Sequence, residues 1–284
     1  MTHRTLLATE RAPAINSYGF LWNRRADLAV RELVGLGYRE FELMVQPPHL
    51  GLDRTGEDAR ALRAMVRGGE AVIHTLNMPS LDTNLASPFA EMRAHSVAMF
   101  KREIELAAYI GVGNIIVVPG RLSPLSPAPK AQLHDWLVES LSALIPFARD
   151  NGVRLLIENI PFAALPAASD ILTFLGEIDD PVLGTCYDVA NAHFFGEDPV
   201  AGLRMLREHL SVVHASDTTR QIWRHDPLGM GDIDIAGAVN ALDEIAYRGP
   251  FILEIIGVEP IAAIRQSHEV LRSLGRPFAF EAHQ

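Results

Sequence analysis

Apolar and polar positions along the chain alternate between two textures. Short, nearly continuous apolar runs cover residues 14–17, 40–45, 71–76, 114–119, 153–159, 182–188, 210–214 and 250–256. Between them lie longer stretches in which apolar residues recur every three or four positions: 24–35, 55–67, 88–110, 130–150, 169–177, 199–208, 235–247 and 260–274. The first texture is that of strands buried on both faces, the second that of amphipathic helices. Gly35, Gly111, Gly152 and Gly249 fall where a helix hands over to a strand, which suggests left-handed glycine caps. Eight strand-then-helix units in about 250 residues have the size and order of a single (β/α)8, or TIM, barrel domain spanning residues 1–284. A doubly wound sheet would share the local pattern, but no GxGxxG opens a helix after the first run and no GxxxxGK[ST] occurs.

Composition narrows the chemistry. Hydrophobic content of 48% with 21% charged residues is that of a globular protein. The single cysteine, Cys186, excludes a disulfide framework and a Cys-based zinc site, so metal ligands would have to be His and carboxylate. The N-terminal stretch shows neither a secretory pattern nor a membrane span, and a cytoplasmic location is the default expectation. A net charge of −10 argues against nucleic acid as the partner. The two lysines, Lys101 and Lys130, lie away from strand ends, which speaks against imine chemistry.

In a barrel the reactive groups sit at the carboxyl ends of the strands, so the polar residue that stops each apolar run is informative. The stretch 210–235, LSVVHASDTTRQIWRHDPLGMGDIDI, shows this most clearly, because its apolar run stops at His214 and opens into a polar, Gly-rich loop. The fifth run ends in Glu158 and Asn159, the sixth in Asp188, and the eighth carries Glu254 within FILEII. Three acids gathered at one mouth would repel one another and resist ionising unless a cation neutralised them. A divalent ion resolves the conflict, and three carboxylates with one imidazole suit Mn, Mg, Co or Zn.

These residues carry a resemblance to a known family. IEN at Glu158, YDVANAHFFGEDP from Tyr187, VVHASD around His214, PLGMGDID from Pro227 and FILEI around Glu254 make the whole chain resemble the xylose isomerase-like barrels. That family includes sugar phosphate isomerases and epimerases and, more distantly, endonuclease IV. The resemblance implies a single-metal ligand set of Glu158, Asp188, His214 and Glu254. It also implies metal-assisted proton transfer on a ketose, sugar phosphate or related polyol through an enediolate, with Glu158 and Glu254 as the acid/base pair. Departures from the family pattern are visible: Asn191 stands where many members have a histidine, Trp223 where the downstream pattern has aspartate, and Val118, Pro119 and Gly120 occupy the place of a strand 4 histidine that the repair endonucleases use.

Further candidates are substrate contacts from His74 at the end of the third run, Asn191, His193, Asp217, Arg224 and His225. Asp217 alternatively orients His214 or a loop amide. Glu42 either points into the barrel or pairs with an arginine below the site. Tyr187 and Cys186 read as structural, while Phe20 and Trp22 either wall the pocket or pack. The turn at Gly229 to Gly231 offers amides to a phosphate, with Arg220 and Arg224 as companions. The nearest alternative activity is a dehydratase (lyase) acting on a keto-inositol or dehydroshikimate-like acid, which shares the first proton abstraction. An AP endonuclease-type phosphodiesterase and a non-catalytic sugar-binding barrel rank lower. The expected partner is a small carbohydrate, with no nucleic acid and no membrane; a homo-oligomer is compatible with the sequence.

Overall fold

A computed structural model describes residues 12–274. The single-domain expectation for residues 1–284 therefore runs past the described residues at both ends, and the reading of the first eleven residues lies outside them. Strands β1 (Ala14–Asn16), β2 (Glu40–Met44), β3 (Val72–Asn77), β4 (Asn114–Val117), β5 (Arg154–Glu158), β6 (Leu183–Asp188), β7 (Leu210–Ala215) and β10 (Phe251–Leu253) close into a parallel barrel. The hydrogen-bonded order around it is β1, β10, β7, β6, β5, β4, β3, β2. The helices between them are α1 (Ala26–Gly35), α2 (Glu57–Arg67), α3 (Ala90–Ile110), α4 (Lys130–Asp150), α5 (Ala168–Ile178), α7 (Pro199–Met205), α8 (Ile235–Glu244) and α9 (Pro260–Ser273). No described helix is long and apolar enough to cross a membrane.

Strand alternation divides the apolar residues into two cores. Leu155 and Ile157, Tyr187, Val213 and Ala215, and Leu253 point outward into the layer shared with the helices. Ala14, Ile116, Leu156, Cys186, Val212 and Ile252 form a separate buried cluster that plugs the barrel lumen. Apolar side chains on both faces of β1, β4, β5, β6, β7 and β10 make those runs nearly continuous in sequence. The plug matters for the site, because the next inward position after Leu156, Cys186, Val212 and Ile252 is Glu158, Asp188, His214 and Glu254 respectively.

Three local features depart from the sequence reading. A short helix, α6 (Val189–Phe195), follows β6 directly, with Asp188 as its N-cap accepting from the Asn191 amide. After β7 the chain forms an antiparallel hairpin, β8 (Asp217–Thr219) and β9 (Ile222–Asp226), where only an open loop was expected. Among the expected glycine caps, Gly111 and Gly152 adopt positive φ, whereas Gly35 is still helical and Gly249 is not left-handed. Gly37 and Ala246 take the positive φ near those two helix ends.

Candidate active site

Glu158, Asp188, His214 and Glu254 arrive on four neighbouring strands or strand ends, and one ligand atom from each lies within 4.8 Å of all the others. His214 Nδ1 is the centre: it stands 3.1 Å from Glu158 Oε1, 3.2 Å from Glu254 Oε2 and 4.0 Å from Asp188 Oδ2. All four side chains are buried. Burial opposes charge on His214, yet its neighbours Cys186, Glu42 and Glu254 raise its pKa well above the usual value. Burial likewise raises Glu158 and pushes Asp188 up to about 6.

The donor set fits a divalent cation. Asp188 Oδ1 is spent on the Asn191 amide at 2.7 Å, but Asp188 Oδ2 is buried with no hydrogen-bond partner. A buried carboxylate oxygen left unpaired among other acids is costly, and a cation is the partner that satisfies all of them together. Among the described residues, both groups able to hold an ion contain Glu158 and His214; the second replaces Asp188 and Glu254 with Cys186. Burial raises the Cys186 thiol well above its usual range, which keeps it protonated and favours the four-residue oxygen and nitrogen set.

Glu42 belongs to the same assembly. It points into the barrel, as one of the two sequence readings had it, but its partner is His214 rather than an arginine: Oε2 lies 3.0 Å from His214 Nε2. Asn16 and Asn77 donate to Glu42 Oε1, and the Thr75 hydroxyl donates to Oε2. Burial would raise Glu42, but His214 and these donors bring it below the ordinary carboxylate value. Asn16 also donates to Glu254 Oε1 at 3.2 Å, linking the two acids.

Above the acids opens a cavity of about 600 Å³ whose walls include Tyr18, Arg121, Asn191, Trp223, Arg224 and His225, with Glu158 and Glu254 at its base. His225 Nδ1 is 3.5 Å from Glu254 Oε2, 3.7 Å from Asp188 Oδ2 and 3.0 Å from Ser216 Oγ. Trp223 Nε1 donates to Asn191 Oδ1 at 2.8 Å, and its ring stacks on Phe194 with centroids 6.0 Å apart. The residue that departs from the family pattern at 223 thus holds the residue that departs from it at 191.

Three expected substrate contacts are not brought to this cavity. His74 pairs with Glu40 at 2.6 Å, at the amino end of β2. A bulge between β2 and β3 is responsible: Phe41 aligns with Ile73 but Glu42 with Thr75, so His74 is the extra residue and Thr75 takes the inward place. His193 binds Asp232 at 2.6 Å. Asp217 accepts from the amides of Gly229 at 2.8 Å, Thr218 at 3.0 Å and Ile233 at 3.3 Å, which matches the loop-orienting alternative. The Gly-rich turn consequently spends its Gly229 amide internally, and the Met230 and Asp232 amides bind Pro227 and Thr218 carbonyls. Tyr18 and Arg121 were missed. Arg121 had a visible signal, since it follows the fourth apolar run just beyond Gly120.

The family model described as xylose isomerase-like TIM barrel matches residues 30–274. The chain belongs to this family. It is 27% identical over 190 residues to the uncharacterized protein MJ1311 of Methanocaldococcus jannaschii, covering 65% of this chain and 64% of that protein's length. It is 21% identical over 268 residues to the L-ribulose-5-phosphate 3-epimerase UlaE of Escherichia coli, with 90% of each chain covered. A solved D-tagatose 3-epimerase-like protein superposes with a TM-score of 0.81 at 21% identity, covering 93% of this chain and 97% of that one; at that identity the likeness establishes a shared fold.

Proposed function

We propose that this protein epimerises or isomerises a ketose or related polyol by taking a proton from the carbon beside the carbonyl and returning it. The observation that carries the reading is the convergence of Glu158, Asp188, His214 and Glu254 at the base of the cavity. The names of the Escherichia coli relative and of the structural neighbour, both 3-epimerases or epimerase-like, support it.

Glu158, Asp188, His214 and Glu254 would hold one divalent ion of the Mn, Mg, Co or Zn type, which when bound supplies Lewis-acid polarisation of a carbonyl and its neighbouring hydroxyl. Glu42, 3.0 Å from His214 Nε2, would accept the proton on that nitrogen and leave Nδ1 to serve as the ligand atom when an ion is bound. Glu158 and Glu254 come from strands that are not adjacent in the barrel, so they can address a bound carbon from two sides. The ionised carboxylate of the pair would accept the proton, giving an enediolate of the substrate, and the other, starting as the protonated acid, would donate its proton to the opposite face. Asn191, Arg224 and His225 line the space where the remaining hydroxyls would lie. Trp223 lines the cavity, and its ring packs against Phe194 and Phe162.

The test is a panel of ketopentoses, ketohexoses and their phosphates incubated with the protein and each of the four metals, with products resolved by chromatography. The expected result is conversion of at least one sugar into its epimer or aldose isomer, abolished by chelator. Dehydrated products, or no interconversion of any sugar, would contradict the reading.

A further inference from the structure

Arg121 is the cation in the cavity that the proton-transfer chemistry does not use. Its backbone is held in place, while the residue itself is exposed and lines the cavity. Asn84 brackets its backbone: Asn84 Oδ1 accepts the Arg121 amide at 3.0 Å, and Asn84 Nδ2 donates to the Arg121 carbonyl at 2.9 Å. Arg121 also forms an isolated bridge with Ala163 across to the loop after β5. The residue before it, Gly120, has φ +85°, and a Cβ there would lie 2.8 Å from the Ala86 amide nitrogen, so only glycine lets the two loops close on each other. The guanidinium is anchored by one bond, Nη1 to the Ser80 carbonyl at 3.1 Å.

The rest of that guanidinium has no acid to neutralise it. Among the described residues Arg121 makes no ion pair, whereas the other arginine in the cavity, Arg224, leans on Asp226 at 3.8 Å. Arg121 lines the same cavity as Tyr18, Glu158 and Glu254. With Glu158 and Glu254 at the base assigned to an ion and Asp226 in the wall paired with Arg224, Arg121 is the cavity cation left to receive an anionic group. The usual anion receptor of a barrel, the Gly-rich turn after the seventh strand, has its Gly229, Met230 and Asp232 amides engaged internally.

We propose that the substrate carries an anionic group, a carboxylate or a phosphate monoester, and that Arg121 is the specificity-determining residue that receives it. The proposal rests on the ketose reading for the sugar part, while the charge preference stands on Arg121 alone. A planar guanidinium with one edge tied to Ser80 presents its other N–H groups in the fork that such oxygens match.

Binding is the test, because it does not depend on turnover. Ribitol, ribonate and ribitol 5-phosphate are titrated calorimetrically into the Mn²⁺-loaded protein and its R121Q and R121K variants, alongside melting temperatures. At least one anionic probe should bind about tenfold or more tightly than ribitol, and R121Q should erase that preference while R121K keeps part of it. The probe that responds identifies the carboxylate or the phosphate as the source. Equal affinity for all three probes, or a preference that survives in R121Q, would overturn the proposal. If the R121Q melting temperature collapses, R121K carries the comparison: an undiminished preference there with the Ser80 anchor lost also counts against the guanidinium fork. Failure of every ketose to turn over, with the charge preference intact, would count against the epimerase reading and leave the Arg121 assignment standing.

Discussion

Glu42 Oε2 lies 3.0 Å from His214 Nε2, on the opposite side of the imidazole from the three acids that face Nδ1. With an ion on the Nδ1 side, as proposed, Nε2 would carry the proton towards Glu42, and this contact would orient the ring. Replacing Glu42 by Gln is expected to weaken Mn²⁺ binding by about 10- to 100-fold with the fold intact. Isothermal titration with the metal reads this directly.

Metal binding should also stabilise the folded chain, because the four ligands are assembled only when the barrel is closed. Saturation at about a hundred times the dissociation constant is expected to add about 2.7 kcal/mol and to raise the melting temperature. Chelator should reverse the shift, and the Asp188→Asn variant, which neutralises the unpartnered Oδ2 position, should show a much smaller one.

Glu103, on α3, is fully buried, and neither of its carboxyl oxygens has a hydrogen-bond partner. Burial, with the Glu42 charge adding to it, raises its pKa well above the carboxylate range. A raised folded pKa contributes stability that is fully present below the unfolded value and is lost as pH rises towards the folded one. Glu103→Gln removes the titration, so the variant should gain on wild type between pH 5 and pH 8, by up to about 1.4 kcal/mol per pH unit. Urea unfolding at the two pH values measures the difference.

The convergence of Glu158, Asp188, His214 and Glu254 was legible because it follows from period two. In β5, β6 and β7 and at the end of β10, an inward apolar residue is followed two places later by an acid or imidazole, a pattern that no helix would align. His74 was misread for a complementary reason. In regular register it would sit beside Glu42, and the bulge that turns it away belongs to the pairing of two strands rather than to either one. Helix α6 was hidden because Asp188 ends a strand and caps a helix at once, leaving no loop to signal the change. The hairpin of β8 and β9 is polar and exposed along much of its length, so it carries no apolar alternation; Thr218 Oγ1 donating to the Ile222 carbonyl and accepting the Arg224 amide helps set its geometry.

Asp217 turns the following loop into a defined wall by accepting three backbone amides while 1% exposed. Asp217→Ala leaves those amides unpaired and is expected to cost roughly 2–4 kcal/mol. Limited proteolysis should then cut within residues 227–233 in the variant and spare the wild type.

Solvent deuterium incorporation at the carbon beside the carbonyl of a converted ketose, followed by mass spectrometry in wild type, Glu158→Gln and Glu254→Gln, tests the two-carboxylate site most directly. The predicted result is one deuterium per turnover in wild type and loss of epimer formation in each variant, with melting temperatures measured without metal close to that of wild type. Near-normal epimerisation in either variant would contradict the assignment of Glu158 and Glu254 as the proton-transferring pair.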